Sequence, residues 1–330
     1  MTILPAHHPL TRQCRLLLAA AGCGEEAGEL LVRRLPASRP VFCFSAPDGT
    51  PLLVGKFFTA YPPVSAPDRA LATEFRHYQD NPAWARPAGV LPRCLGQAPD
   101  LKLGLLVEYV AGPDLDACLA RARDSEAAAL ALQERLARLA QLLAWFHTRP
   151  LPPLPVSPLP ATLYLGKLAG QLEAAGLLCE GEARRLTGSG AAWEAVFAGL
   201  PDRQVLLHGD ATPTNFLFPD GAAVAVDLER LRPGDRLFDL GWVAGELWHA
   251  FAWRFQDGPG AGPYAMVFFQ AYLEAVAADG PLARRLHRLA PFYKALALLR
   301  IARNAYLAWE HRCSLVQEAR RLLASPRSLP

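Results

Sequence analysis

The sequence predicts an α+β protein with two lobes. Two observations lead there: short apolar runs separated by turn residues fill the first third of the chain, and helical patterns fill the remainder, interrupted by one compact, motif-rich segment at 205–241. The expected division is a smaller lobe over 1–110 and a larger helical lobe over 111–330. A chain of 330 residues is long enough for each lobe to bury a core. With 52% hydrophobic and 20% charged residues it is not a disordered polymer, and a net charge of only +3 argues against a broad polyelectrolyte surface for nucleic acid.

The elements follow in order. A helical pattern covers 10–35, with a break at Cys23-Gly24. Arg12 and Arg15 precede an apolar run ending at Cys23, as in a lipoprotein signal. Glu25 and Glu26 follow at once, however, so the run reads as a first helix ending at Gly22 or Gly24. The runs Val41–Ser45 and Leu52–Phe58 flank Ala46-Pro47-Asp48-Gly49-Thr50, whose turn chemistry predicts a hairpin. A helix is expected over 66–80, closed by Asn81-Pro82, and a further strand over Leu103–Val110. A long helix runs from Ser125 to His147. Prolines at 150, 152, 153, 155, 158 and 160 then make a stiff surface loop before the mainly helical region 162–326.

No stretch is long and apolar enough to span a membrane. Seven singly spaced cysteines without a C-x-x-C pair suggest reduced thiols and a cytoplasmic protein. The segment Gly49–Lys56 resembles a P-loop, but its spacing is too long and Phe57 stands where Ser or Thr is needed.

The chemistry lies in 205–241. Phe216–Phe218 and Ala222–Val226 read as strands around the turn Pro219-Asp220-Gly221, a tight hairpin that should bring Asn215 and Asp227 close together. An amide oxygen and a carboxylate held this way suit Mg²⁺. Asp210 stands on the loop entering the hairpin, where a carboxylate can hold a hydroxyl beside a metal-bound phosphate.

His208-Gly209-Asp210, four further residues, Asn215, then Val226-Asp227-Leu228-Glu229 and Gly234-Asp235-Arg236-Leu237-Phe238-Asp239-Leu240 resemble the signature of the aminoglycoside phosphotransferase and choline kinase-like family. The pattern parallels the catalytic loop and metal aspartate of protein kinases, with Gly where those have Arg. The resemblance implies a protein-kinase-like fold and transfer of the γ-phosphate of ATP, with Mg²⁺, to a hydroxyl of a small molecule: a sugar, an amino alcohol or an antibiotic-like acceptor. It implies Asp210 as catalytic base, Asn215 and Asp227 as metal ligands, His208 bracing the loop, and Asp239 tying the loop to a core helix. Glu229 has two readings, a contact to substrate or metal and a solvated or salt-bridged carboxylate.

A kinase needs a phosphate-binding lysine in the small lobe. Lys56 is the only lysine before residue 100 and sits inside the apolar run 52–58, where it requires a partner; Glu74 in the next helix is the expected one. Leu105–Gly112 resembles the family's connector between lobes, whose backbone near Glu108 and Val110 would bind adenine, with ATP and GTP both open. The loop over the phosphates should lie near Leu35–Pro40. It contains no glycine, and Ser38 and backbone amides remain to contact phosphate. That departure keeps a second reading, a nucleotide-binding pseudokinase or regulator, beside the enzyme.

For the acceptor, a helix from Pro291 to about His311 is apolar almost all round and embeds Arg300, Arg303 and Asn304. Arg300 and Asn304, one turn apart, share a face and line a pocket, or else the embedded charge serves an internal salt bridge to Asp239 or Glu246. The chain is distinctly basic after residue 280. A polycationic drug would want an acidic cleft, so a neutral or anionic hydroxylated metabolite is expected. Trp242, Trp248, Trp253, Tyr264 and Trp309 are core residues or stacking surfaces for such a ligand.

Overall fold

The computed structural model describes residues 2–22, 28–36, 40–58, 67–85, 89–98, 100 and 104–324. Ser38 and Cys23 lie outside the described residues. The chain divides into two compact units, Met1–Gly112 with Val224–Glu229, and Pro113–Ala223 with Arg230–Pro330.

The first unit opens with β1 (Thr2–Leu4), α1 (Pro9–Ala20), β2 (Leu30–Arg34), β3 (Val41–Ser45) and β4 (Pro51–Phe57). It continues with α2 (Pro67–Asp80), β5 (Cys94–Ala98) and β6 (Gly104–Glu108). The strands form one antiparallel sheet in the order β1-β2-β3-β4-β6-β5. The expected hairpin is β3–β4.

Residues 30–34 are a strand, contrary to the helix expected over 10–35. Leu31 and Val32 pair with Ile3 and Thr2 on one side and with Ser45 and Phe44 on the other, and this two-sided pairing decides the conformation. The alternation of β4 sets its two faces. Leu53 and Phe57 join Cys14, Leu18, Leu30, Phe44 and Leu106 in the core. Gly55 shares that face: a Cβ there would stand 2.9 Å from Phe44 and 3.1 Å from Leu106. Lys56 points to the opposite face.

The second unit begins with α3 (Leu115–Ala120), α4 (Glu126–His147), α5 (Leu159–Ala174), α6 (Glu180–Ala198), β7 (Val205–Leu207) and β8 (Phe216–Leu217). The Asp114 and Ser125 side chains accept from Ala117 N–H and Ala128 N–H, so α3 and α4 start where the caps stand. The turn expected after β8 forms, with Asp220 and Gly221 at φ 20° and 82°. The chain then re-enters the first unit with β9 (Val224–Ala225) and returns with β10 (Arg232–Gly234), which pairs antiparallel with β7.

Four helices complete the second unit: α7 (Leu237–Phe255), α8 (Gly262–Ala275), α9 (Gly280–Ala302) and α10 (Trp309–Leu323). Gly241 and Gly245, one turn apart on α7, let α9 approach closely. A Cβ at either would lie 2.3 Å from the Cβ of Tyr293 or 2.4 Å from that of Ala297. This packing brings the residues of α7 beside Arg300 of α9. The single helix expected from Pro291 to His311 is two helices, because α9 ends at Ala302. Arg312 of α10 reaches back to donate to the Ala302 carbonyl at 2.7 Å. No helix among the described residues is long and apolar enough to cross a membrane.

Candidate active site

Lys56, Glu74, Asp227 and Glu229 belong to the first unit; Asp210, Asn215 and Arg300 belong to the second.

In the first unit the expected pair is present. Lys56 Nζ lies 2.6 Å from Glu74 Oε2 and 2.5 Å from Asp227 Oδ1, with Glu229 Oε2 at 3.7 Å. Glu74 is 2% exposed, and its other oxygen accepts from the Leu228 N–H at 3.4 Å. Burial opposes the charge on Lys56, but Glu74 and Asp227 outweigh it and hold the ammonium above its ordinary pKa. Burial pushes the Glu74 carboxyl up.

Carboxylate oxygens of Glu74, Asp227 and Glu229 all lie within 4.8 Å of one another. Three carboxylates around one ammonium leave an excess of negative charge on hard oxygen donors, a donor set that fits a divalent cation such as Mg²⁺. Glu229 thus stands with the lysine cluster. Asp227 has φ 64°, an uncommon conformation for a non-glycine residue.

At the end of β6, Glu108 accepts from Arg93 Nε at 2.7 Å, and its N–H bonds the Arg93 carbonyl at 2.9 Å. Tyr109 N–H bonds Leu52 at 3.2 Å, whereas the N–H of Val110 has no acceptor among the described residues.

In the second unit, β7 delivers His208-Gly209-Asp210, and Asp239 on α7 pins that loop. Asp239 Oδ2 accepts from the His208 N–H at 2.7 Å and Oδ1 from the Gly209 N–H at 2.9 Å, with His147 Nε2 3.2 Å from Oδ2. The carboxylate is fully buried. Burial alone would raise its pKa, but the His147 contact and the loop hydrogen bonds hold it below the ordinary range. His147 in turn contacts the Tyr272 hydroxyl at 2.7 Å.

Gly209 has φ 79°, and a Cβ there would fall 2.2 Å from the Arg230 carbonyl oxygen. Only glycine fits this point. The Asn215 Nδ2 donates to the Asp210 carbonyl at 2.9 Å, which leaves its amide oxygen as the atom for a cation.

Asp210 itself is held by arginines. Arg300 Nη2 lies 3.1 Å from Oδ1 and Arg230 Nε 3.9 Å from Oδ2. Arg300 also reaches Glu246 Oε1 at 3.2 Å, so of the two carboxylates expected as its partner it takes Glu246, not Asp239. Burial drives the Glu246 pKa up to about 7 against the opposing pull of Arg300.

A cavity of about 530 Å³ opens beside Gly209, Arg300 and Trp242. Trp242 stacks on Phe238 with ring centroids 4.0 Å apart. Trp253 and Trp309 are exposed instead (43% and 49%), and Tyr264 packs on Phe251. Asn304 stands past the end of α9, its amide donating to the Tyr306 hydroxyl at 3.1 Å, and does not line this cavity. The reading of the sequence gave no role to Arg230 and Arg232, which do line it. Their one signal was alternation in Arg230-Leu231-Arg232, where a strand begins.

The sequence matches the model of the phosphotransferase enzyme family over residues 23–287. No curated protein sequence matches. Among solved structures, the chain is similar to a choline/ethanolamine kinase family protein from Mesorhizobium loti (TM-score 0.59, 18% identity, 96% of each chain covered). It is similar to a glucosamine kinase (TM-score 0.56, 17% identity, 98% of this chain and 86% of that one). It is also similar to APH(2″)-IIa in a ternary complex with streptomycin and ATP (TM-score 0.54, 14% identity, 88% and 91%). At these identities the likeness is one of fold.

Proposed function

The chain belongs to the phosphotransferase enzyme family, and on that premise we propose that it transfers the γ-phosphate of ATP to a hydroxyl of a small molecule. The observation that carries this reading is Lys56, an ammonium inside an apolar strand, held between Glu74 at 2.6 Å and Asp227 at 2.5 Å. An oriented, fully protonated lysine of this kind positions the α- and β-phosphates. Val110 N–H, with the backbone around Glu108, receives the adenine. Asp227 and Asn215 would each offer an oxygen to Mg²⁺, which would neutralise phosphate charge.

Asp210 accepts the proton of the acceptor hydroxyl as its oxygen bonds to the γ-phosphorus. The bond from that phosphorus to the bridging oxygen breaks, and ADP leaves. Asp239 keeps Asp210 in place through the two N–H groups before it.

A panel of sugars, amino alcohols and aminoglycosides assayed for ADP release tests the reading, alongside thermal shift with Mg·ATP. Asp210→Ala should abolish turnover while nucleotide binding persists, and Asp227→Ala should weaken Mg²⁺-dependent nucleotide binding. Wild-type turnover in the first variant, or no response of the wild type to Mg·ATP, would remove the assignment. One observation favours a second reading, a nucleotide-binding regulator: Arg300 and Arg230 both occupy the carboxylate of Asp210. That reading expects Mg·ATP binding without ADP release for any acceptor.

A further inference from the structure

The cavity beside Asp210 is cationic. Arg230, Arg232 and Arg300 line it, and its one lining carboxylate, Asp235, is already taken by both terminal nitrogens of Arg285 (3.1 and 2.7 Å). Arg300 divides itself between Asp210 and Glu246. No carboxylate among the described residues pairs with Arg232. Its guanidinium lies 4.6 Å over the Phe238 ring and donates to the Arg230 carbonyl at 3.4 Å.

Arg230 and Arg300 face Asp210, and Arg300 also faces Glu246, whereas Arg232 has Asp239 and Asp210 only beyond ion-pair distance. The stacked Phe238 and Trp242 line the same cavity beneath two of these guanidiniums, Arg232 over the Phe238 ring and Arg300 5.6 Å from the Trp242 ring centroid. A guanidinium fork matches carboxylate and phosphate oxygens, and a cavity of about 530 Å³ admits a sugar-sized ligand. An ammonium-bearing alcohol would meet like charge at Arg230, Arg232 and Arg300.

We propose that the acceptor is an anionic alcohol, a hydroxylated acid or phosphate ester of sugar size, whose negative group is held by Arg232 and Arg300 over Phe238 and Trp242. This rests on the phosphotransferase reading above and names the substrate class it leaves open. The anion does more than bind. It replaces Asp210 as the counter-ion of Arg300, and the released Asp210 carboxylate is then available for the hydroxyl proton. A neutral alcohol leaves Asp210 Oδ1 in its contact with Arg300, so discrimination is built into the catalytic step.

Titration calorimetry of the intact chain with D-gluconate, glucose 6-phosphate, glucose and glucosamine tests this directly. At least one anionic probe should bind about tenfold or more tightly than glucose and glucosamine. The preferred probe distinguishes a carboxylate from a phosphate. Arg232→Gln should erase the advantage and unfold at the wild-type temperature, since that side chain is exposed. Binding of glucose or glucosamine as tight as that of the anions overturns the proposal, as does failure of both anions to bind or a full preference in the variant. A parallel Mg·ATP arm separates the two readings. A chain that binds an anionic probe but neither binds Mg·ATP nor releases ADP loses the phosphotransferase reaction and keeps the cavity assignment. One that phosphorylates only neutral sugars does the reverse.

Discussion

Asp239→Asn is nearly isosteric and removes one acceptor position. The wild-type carboxylate accepts from His208 N–H and the His147 ring on one oxygen and from Gly209 N–H on the other. The asparagine oxygen will settle where it keeps two partners, the Oδ2 position. Its NH₂ group then faces the buried Gly209 N–H, donor against donor. A lost hydrogen bond to a charged group costs about 1.5–3 kcal/mol, and a buried unpaired donor about 1–3 kcal/mol. The two remaining bonds also lose their charge assistance. These overlap in part, so the expected loss is about 3–5 kcal/mol, a large share of the roughly 5–15 kcal/mol that holds a folded protein together. Differential scanning calorimetry should show a fall of about 4–7 °C, at about 2.1 cal/mol/K of unfolding entropy per residue. ADP release should fall further than stability at the assay temperature explains, because Gly209 is the residue directly before Asp210. A variant within about 1 kcal/mol of wild type and with undiminished ADP release would refute the role assigned to these hydrogen bonds.

Further outcomes are expected. Glu246 has its pKa raised to about 7 in the folded protein from an ordinary 4.5, so the folded state binds the extra proton between those values and stability falls as pH rises from about 4.5 to about 7. In Glu246→Gln that component should vanish, the difference between variant and wild type changing by roughly 3 kcal/mol across this window in urea titrations at several pH values. Lys56→Met leaves Glu74 buried beside Asp227 and Glu229 without their cation. It should cost about 3–5 kcal/mol by chemical denaturation, and the double variant with Glu74→Gln should recover part of that. Gly209→Ala, with φ 79° and the Arg230 carbonyl 2.2 Å from the new Cβ, should lose about 2 kcal/mol or more and all ADP release; a wild-type melting curve would show that the loop relaxes freely.

What the sequence disclosed, and what it withheld, follows the range of the interactions. Lys56 and Glu74 were legible because a lone lysine in an apolar run demands a partner and the next helix offers one. The helix start at Ser125, the turn at Asp220-Gly221 and the loop ending in Asp210 are likewise local signals, whereas the short helix capped by Asp114 went unread. Residues 30–34 were misread because Leu-Leu-Val-Arg-Arg carries no helix breaker, and only pairing with residues 2–4 and 42–45 makes it a strand. The end of α9 is marked only by Asn304 just past its C-cap, a weak local signal; the Ala302 carbonyl there is capped by Arg312, ten residues on. Arg232 escaped notice because a basic residue after a motif reads as solvated surface until an aromatic ring is found beneath it.

The brief return of the chain into the first unit at Val224–Glu229 has a practical corollary for protein engineering. An amino-terminal fragment cut after Gly112 would retain Lys56 and Glu74 but forfeit Asp227 and Glu229, so its ammonium would face one carboxylate where the intact chain supplies three. Chimaeras that exchange this amino-terminal third between homologous enzymes therefore inherit a mismatched cluster unless the short downstream segment travels with it.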